Sequence, residues 1–193
     1  MRADRIYMEN NAHAETKEKR LKRFQNGVPY EIISTLINSI ANFFNNEIAL
    51  TTQGDNYQSS LLLLGVHSVA LTISEGLFNK TGSDGYKLFL EKFVDGDTPD
   101  TKFSTIAKSI HDWRNVLAHQ WIGSIGHSIG YDYRMSLGWE IREDVTFINP
   151  RIYLEHYLKA FGRNGKMWDW QTMLTETEQE SAKHRLIAKY LSR

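Results

Sequence analysis

The sequence lacks cysteine and lacks an excess of either charge. None of its 193 residues is cysteine, which excludes disulfides, cysteine-ligated zinc and thiol nucleophiles. This absence fits a reducing cytosol, and a cytoplasmic location is expected. Lysine and arginine together number 23, as do aspartate and glutamate. The chain therefore has no global electrostatic signature for nucleic acid or an anionic membrane, and any RNA or nucleotide site has to be a local basic pocket.

Long hydrophobic runs are also missing. The longest, residues 61–73, is interrupted by Gly65, His67 and Ser68 and is too short to cross a bilayer. It predicts a buried core helix, in which His67 is expected to be a hydrogen-bonded core histidine. The first thirty residues are charged and lack the apolar segment of a signal peptide. A soluble protein without a membrane partner is expected.

The apolar residues that are present follow a helical spacing. Between residues 30 and 48 they recur every three or four positions, which predicts an amphipathic helix. Similar patterns predict further helices at about 57–78, 84–94, 102–121, 151–161 and 175–191. Residues 128–147 alternate as in strands and predict a two-stranded excursion, with its turn near 142–144 or near 137–138. The predicted fold is mainly α, an up-and-down bundle of four to five helices with a small β-hairpin insertion after the helix at 102–121.

The predicted organisation has three parts. Residues 1–27 form a polar basic arm, residues 28–163 form the helical domain with the β insertion at about 125–148, and residues 164–193 form a linker and a C-terminal helix. The basic run at 17–23 is either a solvated helical arm or a segment that contacts phosphate.

The segment 114–119, RNVLAH, is the strongest functional signal. Arg114, Asn115 and His119 place a permanent cation, an amide and an imidazole within two helical turns. A guanidinium that holds phosphate and an imidazole that moves protons near neutral pH together suit phosphodiester chemistry. His111, Asn115 and His119 share one helix face, whereas Arg114 lies roughly 140° around the axis from His119. That angle favours a composite site between two copies of the chain, and hence a homodimer.

The motif and its setting resemble those of the HEPN superfamily (higher eukaryotes and prokaryotes nucleotide-binding). Arg-Asn-x-x-x-His at 114–119 lies on the penultimate core helix of a cysteine-free bundle. It follows a long apolar helix that ends in EGLF at 75–78 and a shorter helix that contains Phe89 and Phe93. The resemblance covers about residues 30–161.

The resemblance implies a metal-independent endoribonuclease that works as a dimer without a cofactor. Arg114 would hold the scissile phosphate, His119 would shuttle a proton, and Asn115 would orient His119 or bind the phosphate. Glu75 would correspond to a polar residue of the neighbouring helix, and His111 and Lys108 are weaker candidates for contact with RNA or nucleotide. The implied partners are RNA or a nucleotide, a second copy of the chain, and a cognate antitoxin or nucleotidyltransferase of a toxin–antitoxin or defence system.

Three alternatives stay open at the level of sequence. Some HEPN proteins only bind nucleotides or serve as dimerising partners, so the chain is alternatively a non-catalytic binding module. The motif is otherwise a structural cluster, in which Arg114 pairs with Asp112, Glu75 or another carboxylate. A metal site is disfavoured, because His111 and His119 are separated by about 12 Å along a helix and the residues of an HExxH motif are missing.

Overall fold

The protein is mainly helical, with a small sheet inserted after the helix that carries the motif. The computed structural model describes residues 17–52, 58–120 and 129–191. Its α-helices are α1 Lys17–Asn26, α2 Pro29–Phe43, α3 Ser59–Phe78, α4 Gly82–Phe89, α5 Ala107–Gln120, α6 Pro150–Phe161 and α7 Glu176–Leu186. Its strands are β1 Ile129–Tyr131, β2 Trp139–Arg142 and β3 Val145–Ile148. The predicted mainly-α fold with a small β insertion is confirmed.

Several of the helices change pitch at one end. The π-helical turns Phe44–Ile48, Leu90–Val94 and Ile187–Leu191 continue α2, α4 and α7, while the 3₁₀ turn Phe103–Ile106 leads into α5. The remaining 3₁₀ segments are Ala49–Thr52, Pro99–Thr101 and Lys166–Met173. The apolar periodicity runs through these junctions, and for this reason the predicted helices 30–48, 84–94 and 175–191 each cover an α-helix and the π-turn that follows it.

Local capping signals set the helix ends. Asn79 ends α3 in the left-handed conformation (φ 55°), and its N–H donates to the Glu75 carbonyl. Asn149 caps α6 because its side-chain oxygen accepts from the N–H groups of Arg151 and Ile152. Thr175 begins α7 through a reciprocal capping box with the residue three positions later. Each of these ends follows from residues within four positions of it.

The β insertion has three strands rather than two. Strands β2 and β3 form the predicted antiparallel hairpin, with its turn at Glu143 and Asp144, both at positive φ. Strand β1 adds to the other edge of β3 and runs parallel to it, in the order β1-β3-β2. Gly130 in β1 lies under the Phe147 ring of the paired strand, where a β-carbon would come within 2.4 Å of that ring unless the ring moved.

Helix α3 is the central helix of the core. It is long and apolar enough by length and composition to cross a membrane, with a mean hydropathy of 1.7 over its most apolar window, but 56% of that window is buried inside the protein. A core helix passes the same test, and the burial is consistent with a soluble protein. Helix α7 packs against both α2 and α3, where Arg185 donates to the carbonyls of Gly76 and Leu77 at the end of α3.

Candidate functional site

The motif helix α5 lies inside the bundle, with α3 and α4 as its helical neighbours and β1 beside it. Its buried side chains, among those described, are Ala107, Ile110, Trp113 and Leu117, which recur at helical spacing. Trp113 contacts the Tyr131 ring edge-to-face, with ring centroids 5.8 Å apart. The backbone of His119 belongs to the last turn of α5, but its side chain lies outside the part of the chain whose side chains are described. The buried stripe leaves Arg114 and Asn115 half-buried beside it.

Arg114 is bound to Asn115 and to no carboxylate among the residues that the structure describes. Its Nη1 donates to the Asn115 side-chain oxygen over 3.2 Å. Its Nε is buried and has no hydrogen-bond partner within the described ranges. A buried polar group without a partner is uncommon in folded proteins. The guanidinium therefore keeps donors that described residues do not occupy.

The two carboxylates that the sequence predicts as alternative partners of Arg114 bind lysines instead. Asp112 forms an ion pair with Lys108 on the exposed side of α5. Glu75 forms an ion pair with Lys189, close to the C-terminal end of the described chain. The structural alternative required a carboxylate on Arg114, and these two candidates do not supply it.

Helix α3 contributes a histidine to the site that the sequence did not predict as a site residue. His67 is fully buried, and its Nε2 lies 3.0 Å from Nδ1 of His111 on α5. Its Nδ1 has no partner within the described ranges. The two rings are tilted against each other with centroids 5.1 Å apart. The expectation of a hydrogen-bonded core histidine is confirmed, but its partner is a candidate site residue.

Both imidazoles are held neutral. Burial, with smaller contributions from Arg114 and His111, lowers the pKa of His67 to about 3. Burial also lowers the pKa of His111, and the cations Arg114 and Lys108 add to this effect while Asp112 opposes it. Near neutral pH the pair therefore adds no charge beside the Arg114 guanidinium.

A buried tyrosine cluster supports the other side of His67. The Tyr86 ring lies 4.3 Å from the His67 ring, centroid to centroid. The Tyr86 hydroxyl bonds to that of Tyr153, which lies 3.2 Å from the hydroxyl of Tyr157. Burial raises the pKa of all three phenols well above the usual value, so they remain neutral donors. This cluster fixes the position of His67 from the core side.

The structure brings some of the predicted site residues together and separates others. His111 and Asn115 lie one turn apart on the same face of α5, and Arg114 lies beside that face and donates to Asn115. Lys108 extends into solvent, with 79% of its side chain exposed. Glu75 lies eight residues beyond His67 on α3, about 12 Å along the helix axis, and its partner is Lys189 rather than a motif residue.

A concavity of about 470 Å³ lies away from the motif, where the loop after α4 meets the C-terminal end of α6. His156 lines it and hydrogen-bonds through Nδ1 to the Val94 carbonyl over 2.9 Å. Because a carbonyl only accepts, Nδ1 of His156 carries a proton. Lys159 and Lys166 contribute cations, while Asp95 and Asp97 contribute carboxylates. The balanced charges of this concavity select no ligand class.

Among the residues described, no group of three or more histidine, aspartate and glutamate side chains is arranged to hold a metal ion. Comparisons with family models, with curated proteins and with solved structures found no match to the chain. The arrangement around Arg114 is therefore the basis for an assignment of function.

Proposed function

We propose that the protein is a metal-independent endoribonuclease of the HEPN type, which acts in the cytoplasm as a homodimer. The proposal assigns Arg114 to the scissile phosphate, His119 to proton transfer and Asn115 to the orientation of these groups. The observation that carries it is the state of Arg114. Its guanidinium is half-buried and linked to Asn115, with no carboxylate partner in the described parts of the chain.

An unneutralised guanidinium in a partly buried setting favours binding of an anion. A phosphate offers two oxygens that the planar guanidinium can bind with two parallel N–H donors. The electrostatic attraction also strengthens as water is excluded. Since the whole chain has no net charge, attraction of RNA depends on such local cations and not on a global field.

The proposed reaction needs no metal. The ribose 2′-oxygen attacks phosphorus, the bond from phosphorus to the 5′-oxygen breaks, and a 2′,3′-cyclic phosphate and a 5′-hydroxyl result. The 2′-hydroxyl loses a proton and the leaving oxygen gains one; His119 serves one of these transfers and solvent water the other. Arg114 stabilises the charge that develops on the phosphate oxygens in the transition state.

The test is cleavage of RNA in the presence of EDTA. We expect cleavage to persist under chelation and to leave 2′,3′-cyclic phosphate ends, because arginine and histidine supply the charge stabilisation and the proton transfer. Substitution of His119 by alanine is expected to lower the rate by about 10²- to 10⁴-fold. Cleavage that requires added divalent cations, or that continues at the full rate in His119→Ala, would contradict the proposal.

The same samples separate catalysis from binding alone. A non-catalytic module would be stabilised against thermal unfolding by ATP or RNA, since a ligand that binds the folded state raises Tm, yet it would leave RNA intact. Binding without cleavage would thus assign the site to nucleotide recognition. If the protein neither binds nor cleaves RNA, the motif has a structural role.

A further inference from the structure

The hydrogen bond between His67 and His111 determines which nitrogen of each ring carries the proton. Both rings are neutral near pH 7, so each has one donor nitrogen and one acceptor nitrogen. Nε2 of His67 and Nδ1 of His111 lie 3.0 Å apart, and only one of them is protonated at a time. The position of the proton on one ring therefore fixes its position on the other.

The buried Nδ1 of His67 decides between the two arrangements. This atom is inaccessible to solvent and has no partner among the described residues. If it carried the proton, a buried N–H donor would be orphaned. If Nε2 carried it, only an acceptor lone pair would be left over. Orphaned buried N–H groups are the rarer of the two in folded proteins. The favoured arrangement has the His67 Nε2–H donating to Nδ1 of His111.

This arrangement leaves His111 with a proton on Nε2. That nitrogen has no hydrogen-bond partner among the described residues, and it is not among their buried, unpartnered side-chain atoms. It is therefore open to a ligand. The charged groups around His111 are Lys108, Asp112 and Arg114 on its own helix, and His67 is the titratable group that faces it from α3. Lys108 and Asp112 pair with each other, which leaves Arg114 as the neighbouring cation.

We propose that His67 fixes the tautomer of His111, so that His111 presents an uncharged Nε2–H as a hydrogen-bond donor to a phosphate oxygen of the RNA that Arg114 holds. This inference rests on the proposed function and adds a binding residue, His111, and a positioning residue, His67. A neutral imidazole donor can sit beside a guanidinium without the repulsion that an imidazolium would cause. The arrangement thereby adds a donor to the anion site without a second charge.

The first part of the test reads the tautomer directly. Long-range ¹H–¹⁵N correlation spectra of the histidine rings in the full chain are expected to show His111 protonated at Nε2 and unprotonated at Nδ1. His67→Gln places an amide N–H near the position of the lost Nε2–H and should keep this tautomer. His67→Met removes the donor and should give a mixture of tautomers. His111 protonated at Nδ1 in the wild-type protein would overturn the proposal.

The second part measures binding of a 2′-O-methyl oligoribonucleotide, which lacks the nucleophile and cannot be cleaved. His111→Phe is expected to raise Kd about 10-fold, as for the loss of one hydrogen bond to a charged group. His111→Gln, which retains an N–H donor, should recover most of the affinity. His67→Met should weaken binding and His67→Gln should not. Unchanged Kd in His111→Phe would overturn the inference.

The two proposals fail in different ways. If the wild-type protein cleaves RNA in EDTA but His111→Phe binds as tightly as wild type, the nuclease assignment stands and the role of His111 is wrong. If the wild-type protein neither binds nor cleaves RNA, the proposed function is wrong, and the phosphate-binding role of His111 is overturned with it. In that case the NMR spectra still show which nitrogens of His67 and His111 are protonated, but they say nothing about RNA binding.

Discussion

Substitution of Arg114 by alanine is expected to lower the rate of RNA cleavage by about 10²- to 10³-fold, the usual cost of removing one donor that stabilises transition-state charge. Arg114→Lys should recover only part of this loss, because an ammonium keeps the charge but not the planar fork that binds two phosphate oxygens. The measurement is single-turnover cleavage of a labelled RNA at saturating protein.

The folded state is expected to tolerate Arg114→Ala. Removal of the Arg114 side chain leaves no carboxylate of the described ranges buried without a partner. By comparison, the loss of one partner from a buried ion pair would lower the free energy of unfolding by about 3–5 kcal/mol. The matched control is Arg134→Ala, which removes an exposed arginine from the β insertion and should leave both cleavage and Tm unchanged. A large fall in the Tm of Arg114→Ala, with cleavage lost only in proportion to unfolding, would favour the structural reading of the motif.

Acid is expected to destabilise the protein through His67. The pKa of this side chain is about 3 in the folded state and about 6.5 in an unfolded chain. Between these values the unfolded state binds more protons than the folded state. The contribution of His67 to the free energy of unfolding is therefore fully present above about pH 6.5 and decreases as the pH falls toward 3. From pH 7 to pH 4.5 its contribution should fall by about 2 to 3 kcal/mol.

The measurement is the free energy of unfolding by urea at pH 7 and pH 4.5. Between the two pH values the free energy of unfolding should decrease by about 2 to 3 kcal/mol less in His67→Gln than in wild type, since glutamine does not titrate. His184→Gln serves as the matched control for the loss of an imidazole, because 76% of the His184 side chain is exposed. An equal loss in wild type and His67→Gln would show that His67 is protonated as readily in the folded state as in the unfolded chain.

Features determined by neighbouring residues could be predicted from the sequence. The stripe of apolar residues gave the helix positions, and the end of α3 at Asn79 and the start of α6 at Asn149 follow from capping chemistry. The pair of Lys108 and Asp112 also depends on local spacing, since the two residues are four positions apart on one helix.

Features that depend on how distant segments pack could not be predicted in this way. The pairing of Ile129 with Thr146 in parallel strands depends on tertiary structure, and alternation alone gives no pairing partner. The contact of His67 with His111 depends on the rotation of α3 against α5. The Glu75 carboxylate meets Lys189 across 114 positions of sequence. The sequence thus located the motif, whereas packing determined its neighbours.

The central claim is that Arg114 of one protomer and His119 of another act in one site, and mixing two inactive variants tests it most directly. In a heterodimer of Arg114→Ala and His119→Ala, one of the two composite sites has both functional residues. After subunit exchange at equal concentrations, cleavage should recover to about one quarter of the wild-type rate, because half of the dimers are mixed and each has one functional site. No recovery, in mixtures where mass spectrometry shows that heterodimers have formed, would contradict a site shared between two chains.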